Sequence, residues 1–176
     1  MKPNKDSYEN IISFCDEHKI QYLGTTNVFP KHGHHKVAES LRLTYEENGD
    51  ILKRIDQYRG FHTPKVITPN SYVCNSIKHS LYIDSSGCVY PCNMLPVELG
   101  NINQRTISEI WYTSEKLSKI AQLKWLDLKI CNSCESKSFC SRCAGIALIC
   151  SGDLCFPDPI ECDNAHYRNS EYASVI

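Results

Sequence analysis

The chain has 176 residues, 41% hydrophobic and 22% charged, with 19 basic against 20 acidic side chains and a net charge of −1. That length allows one domain, or a small domain plus part of another, and the composition excludes disorder and gives no basic excess for binding nucleic acid. Charge runs through the first segment, MKPNKDSYENIISFCDEHK, which excludes a signal peptide, and the longest membrane-like run, AGIALIC (144–150), is too short to span a bilayer. A reducing, cytoplasmic location is expected.

The first helix is expected at about 6–18, where Tyr8, Ile11, Ile12 and Cys15 fall at i, i+3, i+4 and i+7 and make one apolar stripe. Asp6 with Glu9 reads as its N-terminal capping pair. A strand follows at about 20–29 (IQYLGTTNVF), ended by Pro30 and the KHGHH loop. A second helix starts at Thr44, with Thr44 and Glu47 as a capping box and Ile51, Leu52, Ile55 and Tyr58 as its buried face. Gly60, Pro64 and Pro69 punctuate a linker. IKHSLYID (77–84) and CVYP (88–91) flank Ser85, Ser86 and Gly87, the signal of a β-hairpin whose glycine can take a positive φ. A third helix starts at Thr106 with Glu109 as capping partner and buries Ile107, Ile110 and Trp111. Leu117, Ile120 and Leu123 carry an apolar face onward, in a separate helix capped by Thr113 or Ser114. Beyond Cys131 the chain reads as loops and short turns. Trp111 and Trp125, set among isoleucine and leucine, read as core rather than as electron-route or substrate-stacking groups.

Cys15 stands alone before residue 74 and reads as a core thiol, while every other cysteine falls within 74–163. Cys74, Gly87 and Cys92 spell C-x12-G-x4-C, CNSCESKSFCSRC (131–143) spells C-x2-C-x5-C-x2-C, and Cys162 follows. So many closely spaced thiols in a chain with no secretory segment point to metal rather than disulfides. Four thiolates hold each iron–sulfur cubane, and short C-x2-C steps let two sulfurs converge from a tight turn. Paired C-x2-C steps also build structural zinc sites. A zinc ribbon, however, separates its pairs by ~15–20 residues, and zinc leaves Cys74, Cys92 and Cys162 unexplained unless a second ion binds. The spacing favours iron–sulfur. The alternative is a zinc-stabilised or single-cluster binding module without enzymatic activity. His32, His34 and His35 in KHGHHK are potential metal ligands, but a solvated basic loop accounts for them more simply.

This cysteine order resembles the SPASM domain, the cysteine-rich C-terminal domain of radical SAM peptide-modifying enzymes such as the subtilosin, PQQ, anaerobic sulfatase and mycofactocin maturases. The resemblance implies two auxiliary [4Fe–4S] clusters. Carried over residue by residue, it gives Cys74, Cys92 and Cys143 to the first cluster and Cys131, Cys134, Cys140 and Cys162 to the second. Cys88 is the nearest candidate for the first cluster's fourth ligand, although in an extended strand it lies about 13 Å from Cys92 at ~3.3 Å per residue. Both reach one cubane only if Pro91 bends the strand. Cys150, Cys155 and an open iron site are the alternatives.

The chain departs from the family in three ways. Its dense run ends C-x2-C where the family's ends C-x3-C. It lacks the C-x3-C-x2-C motif that ligates the S-adenosylmethionine-cleaving cluster: the only C-x3-C is Cys88 to Cys92, and Leu95 stands where a third cysteine would. Asn93 stands where sulfatase maturases have an aspartate that serves as a base, and an asparagine cannot titrate in that role.

The unit at 6–29 resembles the last helix–strand unit of a barrel, with a segment of the LRLTYEE kind (41–47) leading to the cysteine domain, and the KHGHH loop would lie near the substrate. The expected fold is therefore an α/β fragment, the last helix–strand unit of a partial barrel with its linker, over 1–73. A small α+β cysteine-rich iron–sulfur domain with a β-hairpin follows over 74–163, then a C-terminal tail over 164–176. The implied function is to carry two auxiliary clusters for a radical SAM enzyme that modifies a peptide or protein. S-adenosylmethionine would bind only with the missing barrel, so the isolated chain is expected to be inactive in cleaving it, and no catalytic residue is identified. The implied partners are a peptide or protein substrate, an electron donor and a chain supplying the missing barrel; neither nucleic acid nor membrane is expected.

Overall fold

The computed structural model describes residues 1–29, 36–59 and 63–173, the side chains of residues 36 and 37 excepted. Pro30, His32, His34, His35 and Gly60 lie outside the described residues. A 3₁₀ turn, Lys2–Ser7, runs into helix α1, Tyr8–Glu17. The Asp6–Glu9 capping pair does not form. Ser7 occupies the N-cap in a helical conformation (φ −88°, ψ −5°) with no side-chain cap bond, because the preceding turn already satisfies the entry geometry that an extended cap residue would otherwise provide. Cys15 is buried, but Ile11 of the same stripe is 47% exposed.

Residues 20–29 form no strand: they have no ladder partner among the described residues. Side chains hold this segment instead. Arg42 Nε donates to the Val28 carbonyl at 2.7 Å, and Asn164 Nδ2 donates to Asn27 Oδ1 at 2.8 Å. Helix α2, Tyr45–Arg59, has the expected capping box, with Glu47 N–H donating to Thr44 Oγ1 and Thr44 N–H to Glu47 Oε2. Leu52 and Ile55 are buried as the periodicity requires. Tyr58 is not: it is 47% exposed and stacks on Tyr22 at 4.1 Å, while Asp56 takes a fully buried place on that face.

The hairpin is present and shorter than the flanking apolar runs. Strand β1, Tyr82–Ile83, pairs antiparallel with β2, Cys88–Tyr90, in the register Tyr82 to Tyr90 and Ile83 to Val89. Gly87 takes φ +81° at its tip, where Asp84 Oδ1 accepts from the Ser86 and Cys88 N–H groups. A third strand, β3 (Gly100–Asn101), completes the sheet in the order β1-β2-β3. Residues Val89, Leu99, Ile110 and Leu117 make the core beneath it. Helix α3, Ile107–Thr113, carries the Thr106–Glu109 capping box, and Ser114 caps α4, Glu115–Ala121. Ile110 is fully buried, but Ile107 is 50% exposed, because only the Ile110 side of α3 meets the sheet. Trp125 joins Leu128 and Cys131 in a separate core cluster, as a packing role requires.

Beyond Cys131 the chain is largely helical, not loop. After the short α5, Lys129–Asn132, come α6, Ala144–Ser151, and α7, Pro159–Tyr172. Gly152 ends α6 in the left-handed region (φ +79°), and Asp158 caps α7 ahead of Pro159 at its first turn. The boundary expected at 163 falls inside α7, so residues 164–172 are helix rather than tail. Helix α7 lies against α2 at Gly49, where an added Cβ would stand 2.3 Å from the Tyr167 ring. Among the described residues, no helix is long and apolar enough to cross a membrane. The structure is thus a small α+β arrangement; it does not contain the strand of a barrel unit among its described residues.

Candidate metal centre

The fold gathers the cysteines in two groups. Cys74 and Cys92 both pack, half-buried, against the core cluster of Ile77, Leu95 and Ile120. Cys92 opens a turn closed by the Leu95 N–H on its carbonyl at 3.2 Å. Cys143 is brought to this turn by α6. At Gly145 a Cβ would stand 2.2 Å from the Met94 carbonyl oxygen, so the helix start lies on the turn's backbone. Burial pushes the Cys143 thiol up, the N–H groups of Ile146 and Gly145 pull against that, and Cys92 is near enough to push with it. Backbone donors at a helix start are the usual support for a thiolate. Cys88 is placed otherwise: its Sγ accepts from Asn101 Nδ2 at 3.4 Å on β3, so it is engaged on the sheet.

The second group is Cys131 on α5, Cys134 on the turn after it, Cys140 after a 3₁₀ turn (Lys137–Phe139) and Cys162 on α7. Each acts on another. Burial pushes Cys140 up to about 12, with Glu161, Cys162 and Cys131 pushing the same way. Burial also pushes Cys162 up to about 11, and Cys131, Asp158 and Cys134 add to it. Cys131 is raised by burial as well, with Cys134 adding and the Arg142 guanidinium opposing. Cys155 falls beside this second group, packing with Cys140 against Trp125, Leu128 and Cys131. Cys150, on α6, is raised by burial and then by Asp158, with no cysteine among its neighbours of consequence.

What fixes the second group is a buried polar network. Arg168 grips Asp56 of α2 through two bonds, Nε to Oδ2 at 2.7 Å and Nη2 to Oδ1 at 2.9 Å, and reaches Glu161 Oε1 with Nη1 at 2.8 Å. That same Glu161 oxygen accepts the Ser141 N–H at 2.7 Å, tying the segment that bears Cys140 to the helix that bears Cys162. A signal was available: Asp56 sits beside Ile55 on the helix's apolar stripe, and Glu161 and Arg168 are seven apart on one face of α7.

The donor set fits an iron–sulfur cluster. Arg142 is 7% exposed, and its Nη2 donates to the carbonyls of Leu154 and Phe156, while Nε and Nη1 have no partner. Among the described residues it forms no ion pair. A buried cation beside several thiols, with no anion of its own, suits a group that is itself anionic when ligated by thiolates. Among the described residues, no three His, Cys, Asp or Glu side chains stand close enough to hold one metal ion; Cys131, Cys134, Cys140 and Cys162 would hold the cluster from separate elements. Such a cluster supplies one-electron redox chemistry when bound. The chain's own contribution is to seat the thiols, Cys131 buried and the other six half-buried, on fixed elements.

Beside Cys92 a cleft of about 510 Å³ opens, lined by Tyr82, Asp84, Tyr90, Asn93 and Glu98 as well as Cys92. Asn93 therefore faces the space next to the first group, as its adjacency to Cys92 implies, but with an amide and no titratable carboxyl.

Residues 74–144 match the SPASM family, described as an iron–sulfur cluster-binding domain. Over 78 residues the chain is 36% identical to the AdoMet-dependent heme synthase of Methanosarcina barkeri (strain Fusaro / DSM 804), a match covering 44% of this chain and 22% of that protein. The chain therefore spans about a fifth of the length of the curated relative it matches. The cysteines of 74–92 and 131–143, seated on these elements, all lie within the segment similar to this iron–sulfur cluster-binding domain.

Proposed function

We propose that this chain binds two auxiliary [4Fe–4S] clusters, the first through Cys74, Cys92 and Cys143 and the second through Cys131, Cys134, Cys140 and Cys162. In this reading it serves a cytoplasmic radical SAM enzyme that modifies a peptide or protein. The observation that carries the reading is the tie between the cysteine-bearing segments: Glu161 of the helix that bears Cys162 accepts the Ser141 N–H beside Cys140 and pairs with Arg168, with Cys131 and Cys134 on the neighbouring turn. Residues 1–73 would be the end of the enzyme's barrel, and cleavage of S-adenosylmethionine would take place on parts this chain does not supply. The cleft beside Cys92 would admit the substrate, with the first cluster at its wall. The fourth ligand of that cluster would come from outside the trio, since Cys88 is turned to Asn101 and Cys155 to the second group.

Anaerobic reconstitution with iron and sulfide tests this. Two filled cubanes give about eight irons and eight labile sulfides per chain. Stoichiometric zinc with no labile sulfide would overturn it in favour of a zinc-stabilised module.

A second reading of the substrate rests on the heme synthase match: the parent enzyme would act on a tetrapyrrole instead of a peptide. Titrating the reconstituted protein with an iron porphyrin, followed at the porphyrin's main absorption band, separates the two. Saturable binding near one equivalent supports the tetrapyrrole, and no spectral change returns the assignment to a peptide.

A further inference from the structure

We infer that Arg142 is a positioning residue for the second cluster, its unpaired guanidinium N–H groups directed to the cluster's sulfurs and its charge making that cluster easier to reduce. This rests on the cluster-binding reading above.

The inference starts from an unbalanced charge. Arginine stays protonated in any protein environment, and burying it without an anion is costly. Arg142 is buried, and the groups around it do not repay that cost. Its Nη2 meets only neutral carbonyls, those of Leu154 and Phe156. Asp158, a buried carboxylate at the N-cap of α7, is already occupied, accepting N–H groups from Cys143, Ile160 and Glu161. Among the described residues, Nε and Nη1 are left without an acceptor.

The two carbonyls on Nη2 also fix where the free nitrogens go. They flank Cys155, and a planar fork held at one end has little freedom at the other. The thiols nearby are those of the second group: the guanidinium's charge acts on Cys131 and on Cys155, and the backbone N–H of Arg142 supports the Cys140 sulfur. One residue thus meets the second group through both its main chain and its side chain. An anionic cluster at this place gives Nε and Nη1 the acceptors they lack and gives the cation its counter-charge. Reduction adds one electron, and hence one negative charge, to a cluster whose potential responds to net charge and to hydrogen bonds on its sulfurs. A fixed cation with two N–H donors therefore favours the reduced form. Arg142 stands between Cys140 and Cys143, so it is anchored in the dense cysteine run itself.

The test is a redox titration of the reconstituted full chain, monitored by electron paramagnetic resonance, in the native protein and in R142Q and R142K. For R142Q one of two potentials should fall by at least a tenfold change in the reduction equilibrium, about 59 mV for one electron. R142K, which keeps the charge but not the fork, should fall less. If R142Q loses one cluster while R142K keeps both, the requirement is for charge and the inference stands. Unchanged potentials in R142Q with iron and sulfide intact would overturn it, and so would equal loss of a cluster from both variants, which leaves Arg142 as a clamp on two carbonyls. A native protein without labile sulfide overturns the cluster-binding reading as well; unmoved potentials on intact clusters overturn this inference alone.

Discussion

Replacing Gly145 by alanine tests whether the start of α6 must touch the Cys92 turn for the first cluster to form. The added Cβ would stand 2.2 Å from the Met94 carbonyl oxygen and 2.6 Å from its carbon, where ordinary contact begins at 3.4 Å, so one backbone must retreat by about 1.2 Å. Neither neighbour is a side chain that can swing aside. Overpacking of this kind costs about 1–3 kcal/mol, and the helical gain of alanine over glycine returns at most about 1 kcal/mol. A net loss of roughly 1–2 kcal/mol is expected in urea denaturation. The more telling effect is on metal. Cys143 directly precedes α6 and Cys92 opens the turn, so the displacement separates two proposed ligands of the first cluster and leaves Cys131, Cys134, Cys140 and Cys162 where they were. Iron after reconstitution should fall from about eight to about four per chain. Gly49 supplies the control, since there a Cβ meets the Tyr167 ring at 2.3 Å, a side chain able to rotate away. G49A should lose stability and keep its iron. Full iron in G145A, with native stability, would refute the placement of Cys143 beside Cys92.

Three other outcomes follow from the same geometry. R168M should cost about 3–5 kcal/mol in urea denaturation, because it strands Asp56 and Glu161 as buried, unpaired carboxylates; a loss below about 1 kcal/mol would show the pair to be dispensable. C131A should remove one cluster's iron and leave the other, whereas loss of all iron would mean that a single shared centre was being counted twice. The isolated chain, reduced in the presence of S-adenosylmethionine, should form no 5′-deoxyadenosine, and catalytic turnover in a clean preparation would contradict its dependence on a separate cofactor-cleaving site.

Local signals carried well where one residue pair decides the backbone. The Thr44–Glu47 and Thr106–Glu109 capping boxes, the Ser114 cap and the Gly87 hairpin tip are all in place. The Asp6–Glu9 pair failed because the 3₁₀ turn ahead of it removes the extended cap that such a pair needs. The strand at 20–29 failed for a non-local reason: alternation supplies a face but no neighbour, and side chains of Arg42 and Asn164 take up this segment instead. Helices α6 and α7 form where the cysteine spacing suggests loops, although Asp158–Pro159 and Gly152 are ordinary start and stop signals. The cysteine order named the chemistry, but the parts that seat it, Asp56, Glu161, Arg168 and Arg142, are charges that become site residues only once the chain is folded around them.

Those charges also bear on how the two parts of the chain depend on each other. Helix α7 carries Cys162, and from it Arg168 grips Asp56 while Asn164 donates to Asn27 and accepts from Asn48 Nδ2 at 2.9 Å. Each of those partners lies before residue 60, outside the cysteine-rich part, so seating α7 costs free energy unless α2 and residues 26–28 are in place to receive it. A uniform weakness of residues 1–73 relative to 74–163 does not follow from this arrangement. Helix α2 should exchange its amide hydrogens nearly as slowly as α7, because opening it unpairs a buried arginine. Among the described residues helix α1 is joined to α2 by an exposed ion pair, Glu9 with Arg54, and by no buried one; Cys15 is its one buried residue, and Ile11 and Phe14 are 47% and 54% exposed. It should exchange fast in the isolated chain and slow down when a polypeptide covers that apolar stripe. Hydrogen exchange read by mass spectrometry distinguishes the cases, and α2 exchanging as fast as α1 would show that the Arg168–Asp56 pair does not join the two parts in solution.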